Sequence, residues 1–338
     1  LEYLYTQEEL YFLMVHDTDG FNRWNAGQSL ASQVITSFQS GEPDKIDEAS
    51  TVICKAFKLI LNDSRNKKEV DKAMLAHILE LPSEGSLIEQ AQMAVVDDIH
   101  KARESVADFI SADLKADFAD VFNSNLSERK FSVESTDMAR RALKNISLNY
   151  LVRSGDRLWI EKCFNQFNQS DNMTDQLAAL RFLVMHSEKH CREEADHALR
   201  IFYDQWKHEP LVVDQWFVTQ ALYPGEESLE RVKALCKHQA FDIKNPNKVR
   251  SLIGVFSSQN HIQFHQSGGK GYEFLADSII QLDQINPQIA ARMMTPLTRW
   301  KKFDHKRQVL MQAQLQRVKE TPNLSKDVFE VAEKSTVV

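Results

Sequence analysis

The stretch HSEKHCREEADHALRIFYDQWKHE, residues 186–209, carries the residue types of a zinc site. His186 and His190 stand four apart, and Glu209 follows the second after eighteen intervening residues. Two histidines one helical turn apart with a more distant Glu form the ligand outline of a catalytic zinc centre. Such a centre also needs a general base beside the first histidine, to activate the metal-bound water. Ser187 occupies that position, and the only acid between the histidines is Glu188. On a helix, a residue two positions on points roughly 200° away, so Glu188 would face away from any metal held by the pair. The local pattern raises a second objection. Leu177, Leu180 and Val184 form a helical stripe that fades near His186, and Ser187 with Glu188 reads as the N-cap and first turn of a new helix. The expectation is two surface histidines at a turn, with no metal ligand and no catalytic residue in this chain.

The elements that position these residues are helices. The chain has 338 residues, of which only 10 are Gly and 8 Pro, and all-β folds spend both on turns. Val249, Leu252, Ile253 and Phe256 fall at i, i+3, i+4 and i+7. Leu275, Ile279 and Leu282 follow the same period, as do Leu229, Val232 and Cys236, and Met311, Leu315 and Val318. Short breaks separate the stripes at 40–45, 62–68, 81–86, 168–173, 223–228, 244–247, 266–271, 285–288 and 321–325. No alternating strand of useful length appears. Breaks every one or two helices, without a Pro- or Gly-rich linker, predict paired helices that bury their stripes on their neighbours. The fold class is all-α, a superhelical α-solenoid of HEAT- or armadillo-like but degenerate repeats. Such an array usually offers a concave binding face.

A net charge of −7 with interspersed signs argues against a nucleic-acid partner. The most basic cluster, RWKKFDHKR at 299–307, reads as a solvated helix end. No run of 18 apolar residues is present, so no membrane span is expected, and no signal peptide opens the chain. Cys54, Cys163, Cys191 and Cys236 are far apart and form no C-x-x-C, so they read as buried or half-buried thiols in a reducing, cytoplasmic setting. The first residue is Leu1, and the chain reads as a piece of something longer. SGGKGY, at 267–272, lacks the spacing of a phosphate-binding loop and reads as a flexible inter-helix loop. Pro296, within a stripe carrying Met293, Leu297 and Trp300, should kink its helix.

Several longer stretches resemble the C-terminal domain of the bacterial aminopeptidase N family, within the gluzincin zinc aminopeptidases. They are FNRWNAGQSL (21–30), DNMTDQLAAL (171–180), LVVDQWFVTQA (211–221), NPNKVRSLIGVF (245–256), GYEFLADSI (271–279), NPQIAARMMTPL (286–297) and FDHKRQ (303–308). With NLSKDVFEVAEK (323–334), the likeness runs over nearly the whole chain. It implies that residues 1–338 form a single C-terminal helical cap domain of a larger enzyme that removes N-terminal residues from peptides. The zinc, and the H-E-x-x-H and Gly-Ala-Met-Glu-Asn motifs, belong to a catalytic domain absent from this chain. The cofactor expectation here is therefore none. The expected partners are that catalytic domain and a peptide substrate, with no nucleic acid and no membrane.

A cap closing over the zinc would meet the carboxyl end of a bound peptide. Arginine suits that end, since its planar fork can hold a carboxylate through two parallel hydrogen bonds. By the resemblance, Arg250 and Arg292 match arginines that line the chamber. Each follows an Asn-Pro that opens a helix, which predicts an early helical turn for both. The other reading is that they pair with nearby acids and lock repeats together. Two alternatives to a cap stay open: a free-standing solenoid scaffold for another protein, and an autonomous zinc hydrolase using His186, His190 and Glu209.

Overall fold

The computed structural model describes residues 3–66, 70–127 and 130–336. Among these residues helices are the only regular elements, and the single backbone bridge, Ala94 to Phe303, stands alone. The expected breaks fall between helices, with one exception. Residues 62–66 continue the helix Pro43–Asn66, and positions 67 and 68 lie outside the described residues. Chain contacts divide the protein into two compact units, Leu1–Ser83 with Asp98–Ala198, and Glu84–Asp97 with Leu199–Val338.

In the first unit, helices pack in sequence order: Gln7–His16 on Gly20–Ser40, Lys115–Ser124 on Ser135–Arg153, and Arg157–Gln169 on Met173–His186. Side-chain caps set many of the starts. Thr6 and Glu9 form a reciprocal capping box, and Asp19, Asp71, Asp156 and Asn172 each accept a first-turn backbone N–H. Gly41 closes its helix in the left-handed region at φ 69°, where a side chain would be strained. Ile53, Phe57 and Ile60 repeat at helical spacing and are buried. Phe118 stacks on Tyr150 with centroids 4.5 Å apart, and the Tyr150 hydroxyl donates to the Leu79 carbonyl at 2.9 Å. A buried polar cluster is paired: Lys144 meets Asp175 at 2.7 Å, and Asn145 donates to the same carboxylate at 2.9 Å.

In the second unit, Lys270–Asp283 packs against Pro287–Met293 and His305–Lys319, and Lys326–Thr336 closes on the last two. The expected stripes form its core: Leu275, Ile279, Leu282, Met311, Leu315 and Val318 are all buried. Residues 267–269 join two helices, Lys270 and Gly271 already belong to the second, and two of the glycines here answer to sterics. Gly269 has φ 71°, and a Cβ on Gly271 would lie 2.3 Å from the Phe264 carbonyl oxygen. Pro296 does more than kink its helix. The helix Pro287–Met293 stops, and a four-residue helix, Thr295–Thr298, restarts with the proline in its first turn. Proline has no N–H to give the preceding turn and crowds its carbonyl, which forces the restart.

Cys54, Cys163 and Cys191 are buried and Cys236 is half-buried, all as free thiols. Burial pushes the thiols of Cys54, Cys191 and Cys236 up to about 12, so they are protonated and unreactive at neutral pH. No helix among the described residues is long and apolar enough to cross a membrane.

Candidate functional site

The zinc outline does not assemble. No helix break occurs at Ser187: the helix Met173–His186 runs into a π-turn, Ser187–Cys191, and on into Arg192–Trp206. The Ser187 hydroxyl donates to the Val184 carbonyl at 2.7 Å, within the helix, and so caps nothing. His186 is buried, not on the surface, and its Nε2–H donates to Asn149 Oδ1 at 3.0 Å. His190 is exposed and lies over Gly155, where a Cβ would meet its Nδ1 at 2.7 Å. The expectation of two surface histidines at a helix break is corrected for His186, which is buried, and for the break, which is a π-turn in a continuous helix; His190 is exposed as expected. The reason is the π-turn, whose extra residue separates the faces of a pair spaced by four. Glu209 is exposed, immediately before the helix Pro210–Ala221. Among the described residues, no group of three His, Cys, Asp or Glu side chains is placed to hold a metal ion.

A better-formed site lies within the second unit. Asn245 caps a helix by accepting from the Asn247 N–H, with Pro246 at the first helical position. After Val249 the chain widens into a second π-turn, Arg250–Gly254. Val249, Leu252, Ile253 and Phe256 are buried, as their spacing predicted. Lys248 fastens this start: its buried ammonium meets Asp214 at 2.7 Å and donates to the Pro210 carbonyl at 2.8 Å. Arg250 is left exposed as the π-turn's first residue. Asn286 likewise caps Pro287–Met293 by accepting from the Ile289 N–H. Arg292 stands in that helix's last turn, later than expected, because the interruption before Pro296 shortens the helix to seven residues.

Arg250 and Arg292 line one cavity of about 390 Å³. Its wall includes Ile88, Val255, Met293, Pro296 and Phe303, with His261 and His265 beside them. Arg299 also lines it, but its guanidinium is held by Glu89. The side chains of Arg250 and Arg292 have no acid and no hydrogen-bond partner among the described residues. They are exposed cations with their forks unused. Chemically, this is an apolar recess with two free guanidinium groups, suited to a small organic anion such as a carboxylate.

The sequence reading passed over His261 and His265, although they too stand four apart. Their rings stack, 6.0 Å between centroids, and His265 Nδ1 hydrogen-bonds the Tyr272 hydroxyl at 2.8 Å. Burial lowers the pKa of both, His265 well below its ordinary value with further depression from His261 and Arg307. Both are therefore neutral at pH ~7. The basic run 299–307 is not a solvated helix end. Arg307 is buried, ion-paired to Asp304 at 2.7 Å and to Asp97, and donates from Nε to the His265 carbonyl at 2.9 Å. Lys302 donates to the Glu89 carbonyl at 2.8 Å. These cations tie the segment 84–97 to the wall of the cavity, because acids and carbonyls brought from far along the chain meet each one.

A family model described as "Domain of unknown function (DUF3458_C) ARM repeats" matches residues 7–337. Aminopeptidase N of Escherichia coli (strain K12) is 35% identical over 334 residues, covering 98% of this chain and 37% of that protein. Aminopeptidase N of Haemophilus influenzae is 37% identical over 341 residues, covering 99% of this chain and 37% of its own length. The chain thus spans little more than a third of these relatives and matches their C-terminal part. Among solved structures, Legionella pneumophila aminopeptidase A in complex with aspartic acid superposes with a TM-score of 0.87 at 32% identity, over 99% of this chain and 39% of that one. The fold class is the expected one, an all-α solenoid of ARM-type helical repeats.

Proposed function

The chain belongs to the DUF3458_C family of ARM-repeat domains, and we propose that it is the non-catalytic cap of a zinc-dependent aminopeptidase. In this reading residues 1–338 act as one domain, cover a catalytic domain in the same cytoplasmic polypeptide, and form the chamber through which peptides reach the zinc. The metal and the general base belong to that catalytic domain. The single observation that carries the reading is that Arg250 and Arg292 share a cavity with neither guanidinium engaged. Two arginines with unused forks beside an apolar recess fit the free carboxylate of a peptide whose amino end lies at the zinc.

The experiment is to measure zinc content and peptidase activity on this chain alone and joined to the catalytic portion, with Arg250→Ala and Arg292→Ala compared. The joined protein should turn over peptides, and the lone chain should hold no stoichiometric zinc. Losing one charge-assisted contact is worth about 1.5 kcal/mol or more, so each substitution should raise KM for a free-acid peptide roughly tenfold. An amino-acid arylamide, which has no carboxylate, should be unaffected. An equal change on both substrates, or none, would rule out the carboxylate role. Zinc and turnover in the lone chain would sink the cap reading itself.

A further inference from the structure

The cavity of Arg250 and Arg292 contains a third group without a partner. His261 Nδ1 is buried, with no hydrogen bond among the described residues, and its ring forms part of the cavity wall. A buried polar atom left in this state is costly, and in folded proteins such atoms mostly have a partner. The ring has little freedom to turn away, because it stacks on His265, which is itself fixed by Tyr272 and lies 4.2 Å from the Phe303 ring. Guanidinium groups only donate, so a peptide carboxylate on the arginines leaves its own last amide N–H in need of an acceptor. A neutral imidazole nitrogen is one. The same wall carries apolar side chains: Ile88, Met293 and Phe303 are all buried and line the cavity.

We infer that the cavity reads the last residue of a peptide: Arg250 and Arg292 take its carboxylate, His261 Nδ1 accepts its amide N–H, and Ile88, Met293 and Phe303 receive an apolar side chain. This rests on the cap reading for its ligand class and adds to it a positioning residue and a preference at the carboxyl end. Burial holds the His261 pKa below its ordinary value, which keeps the ring neutral and able to accept.

The test is calorimetric titration of the 338-residue chain with acetyl-alanyl-leucine and three close analogues. The amide of the same peptide should bind about tenfold more weakly than the acid, and the lysine analogue likewise. Methylating the leucine nitrogen should cost the wild-type chain roughly tenfold. His261→Leu should bind the N–H and N-methyl peptides equally, whereas His261→Asn, which returns an acceptor oxygen near Nδ1, should restore the distinction. The methylated probe works on the wild-type chain, so a variant that fails to fold leaves that arm intact. Equal binding of the N–H and N-methyl peptides by the wild type, with the acid still preferred over the amide, would overturn the His261 contact and leave the arginine reading standing. An equal methylation penalty in His261→Leu would overturn it as well, since the effect would then be steric. Equal binding of the leucine and lysine acids would remove the apolar preference. Indifference between acid and amide, or no saturable binding of any probe, would overturn both readings together.

Discussion

Lowering the pH from about 7.5 to about 5 should weaken the first unit by about 2 kcal/mol through one side chain, His186. Its imidazole is buried and donates to Asn149 Oδ1. Burial lowers its pKa to about 3, with Arg153, His190 and Lys189 adding to the depression and Glu104 opposing it. In the unfolded chain the same group takes up a proton near its ordinary value of about 6.5. Between those values the unfolded state binds more protons than the folded one, so stability rises with pH; it is complete above about 6.5 and falls as pH drops towards 3. At pH ~5 the loss is RT ln(1 + 10^1.5), about 2 kcal/mol. The figure barely depends on the folded value so long as that lies below about 4.

The control is His186→Gln, whose amide can donate to Asn149 from nearly the same place and does not titrate. Hydrogen exchange read by mass spectrometry on peptides from Ser135–Arg153 and Met173–His186, the helices on either side of the contact, reports the local opening free energy. Protection in the wild type should fall about 30-fold more than in the variant over this pH range. Equal losses in the two proteins would refute the reasoning, and with it the view that His186 is a neutral structural donor.

Three further predictions concern the second unit. Lys248→Met leaves the Asp214 carboxylate buried without its cation, and should cost about 3–5 kcal/mol in urea unfolding. Replacing both residues by apolar ones should recover most of that loss, and failure to recover it would show that more than the pair was damaged. Gly271→Ala must displace the Phe264 carbonyl, which a Cβ would approach at 2.3 Å. It should destabilise by roughly 3 kcal/mol, and a neutral result by thermal unfolding would mean that the helix start can slide. Arg307→Met removes the contacts to Asp97, Asp304 and the His265 carbonyl. It should speed exchange around 84–97 and 261–265 more than elsewhere in this unit, and uniform loss would contradict a local tie.

The helices were legible because their signals are local. Asn245-Pro246 and Asn286-Pro287 open helices by the capping chemistry that their order suggests, and the stripes at 249–256, 275–282 and 311–318 supply buried side chains. Arg250 and Arg292 could be singled out from the resemblance, but their common cavity could not. It depends on Gly85 and Ile88, more than 150 residues away in sequence, and on a proline that ends a helix early. Arg299 and Arg307 misled for the same reason. A run of cations looks solvated until Glu89 and Asp97 arrive from elsewhere in the chain. The segments that carry the resemblance also turn out to hold buried polar anchors: Asp175 in 171–180, Asp214 in 211–221, Lys248 in 245–256, Tyr272 in 271–279 and Arg307 in 303–308. Each anchor needs a specific partner at a specific distance, which constrains a sequence more tightly than an apolar stripe does. His261 and His265 were missed although their spacing was in plain view. Their pairing gains meaning only from a cavity that periodicity does not reveal.

The first π-turn explains why spacing failed at the histidines, whereas the stripe at 249–256 keeps its buried face across the second. In an α-helix, side chains four apart share a face; where one residue is inserted, the residue five on takes that place. His186 and Cys191, five apart, are both buried, while His190 is turned out to solvent. On this backbone the two histidines do not converge: His186 points into the core and His190 to solvent. At the second π-turn, Arg250 and the residues four and five on, Gly254 and Val255, line the same cavity, which joins a free cation to an apolar wall. The same irregularity thus takes apart an apparent ligand pair in one unit, and in the other leaves the apolar stripe intact with Arg250 exposed at its edge.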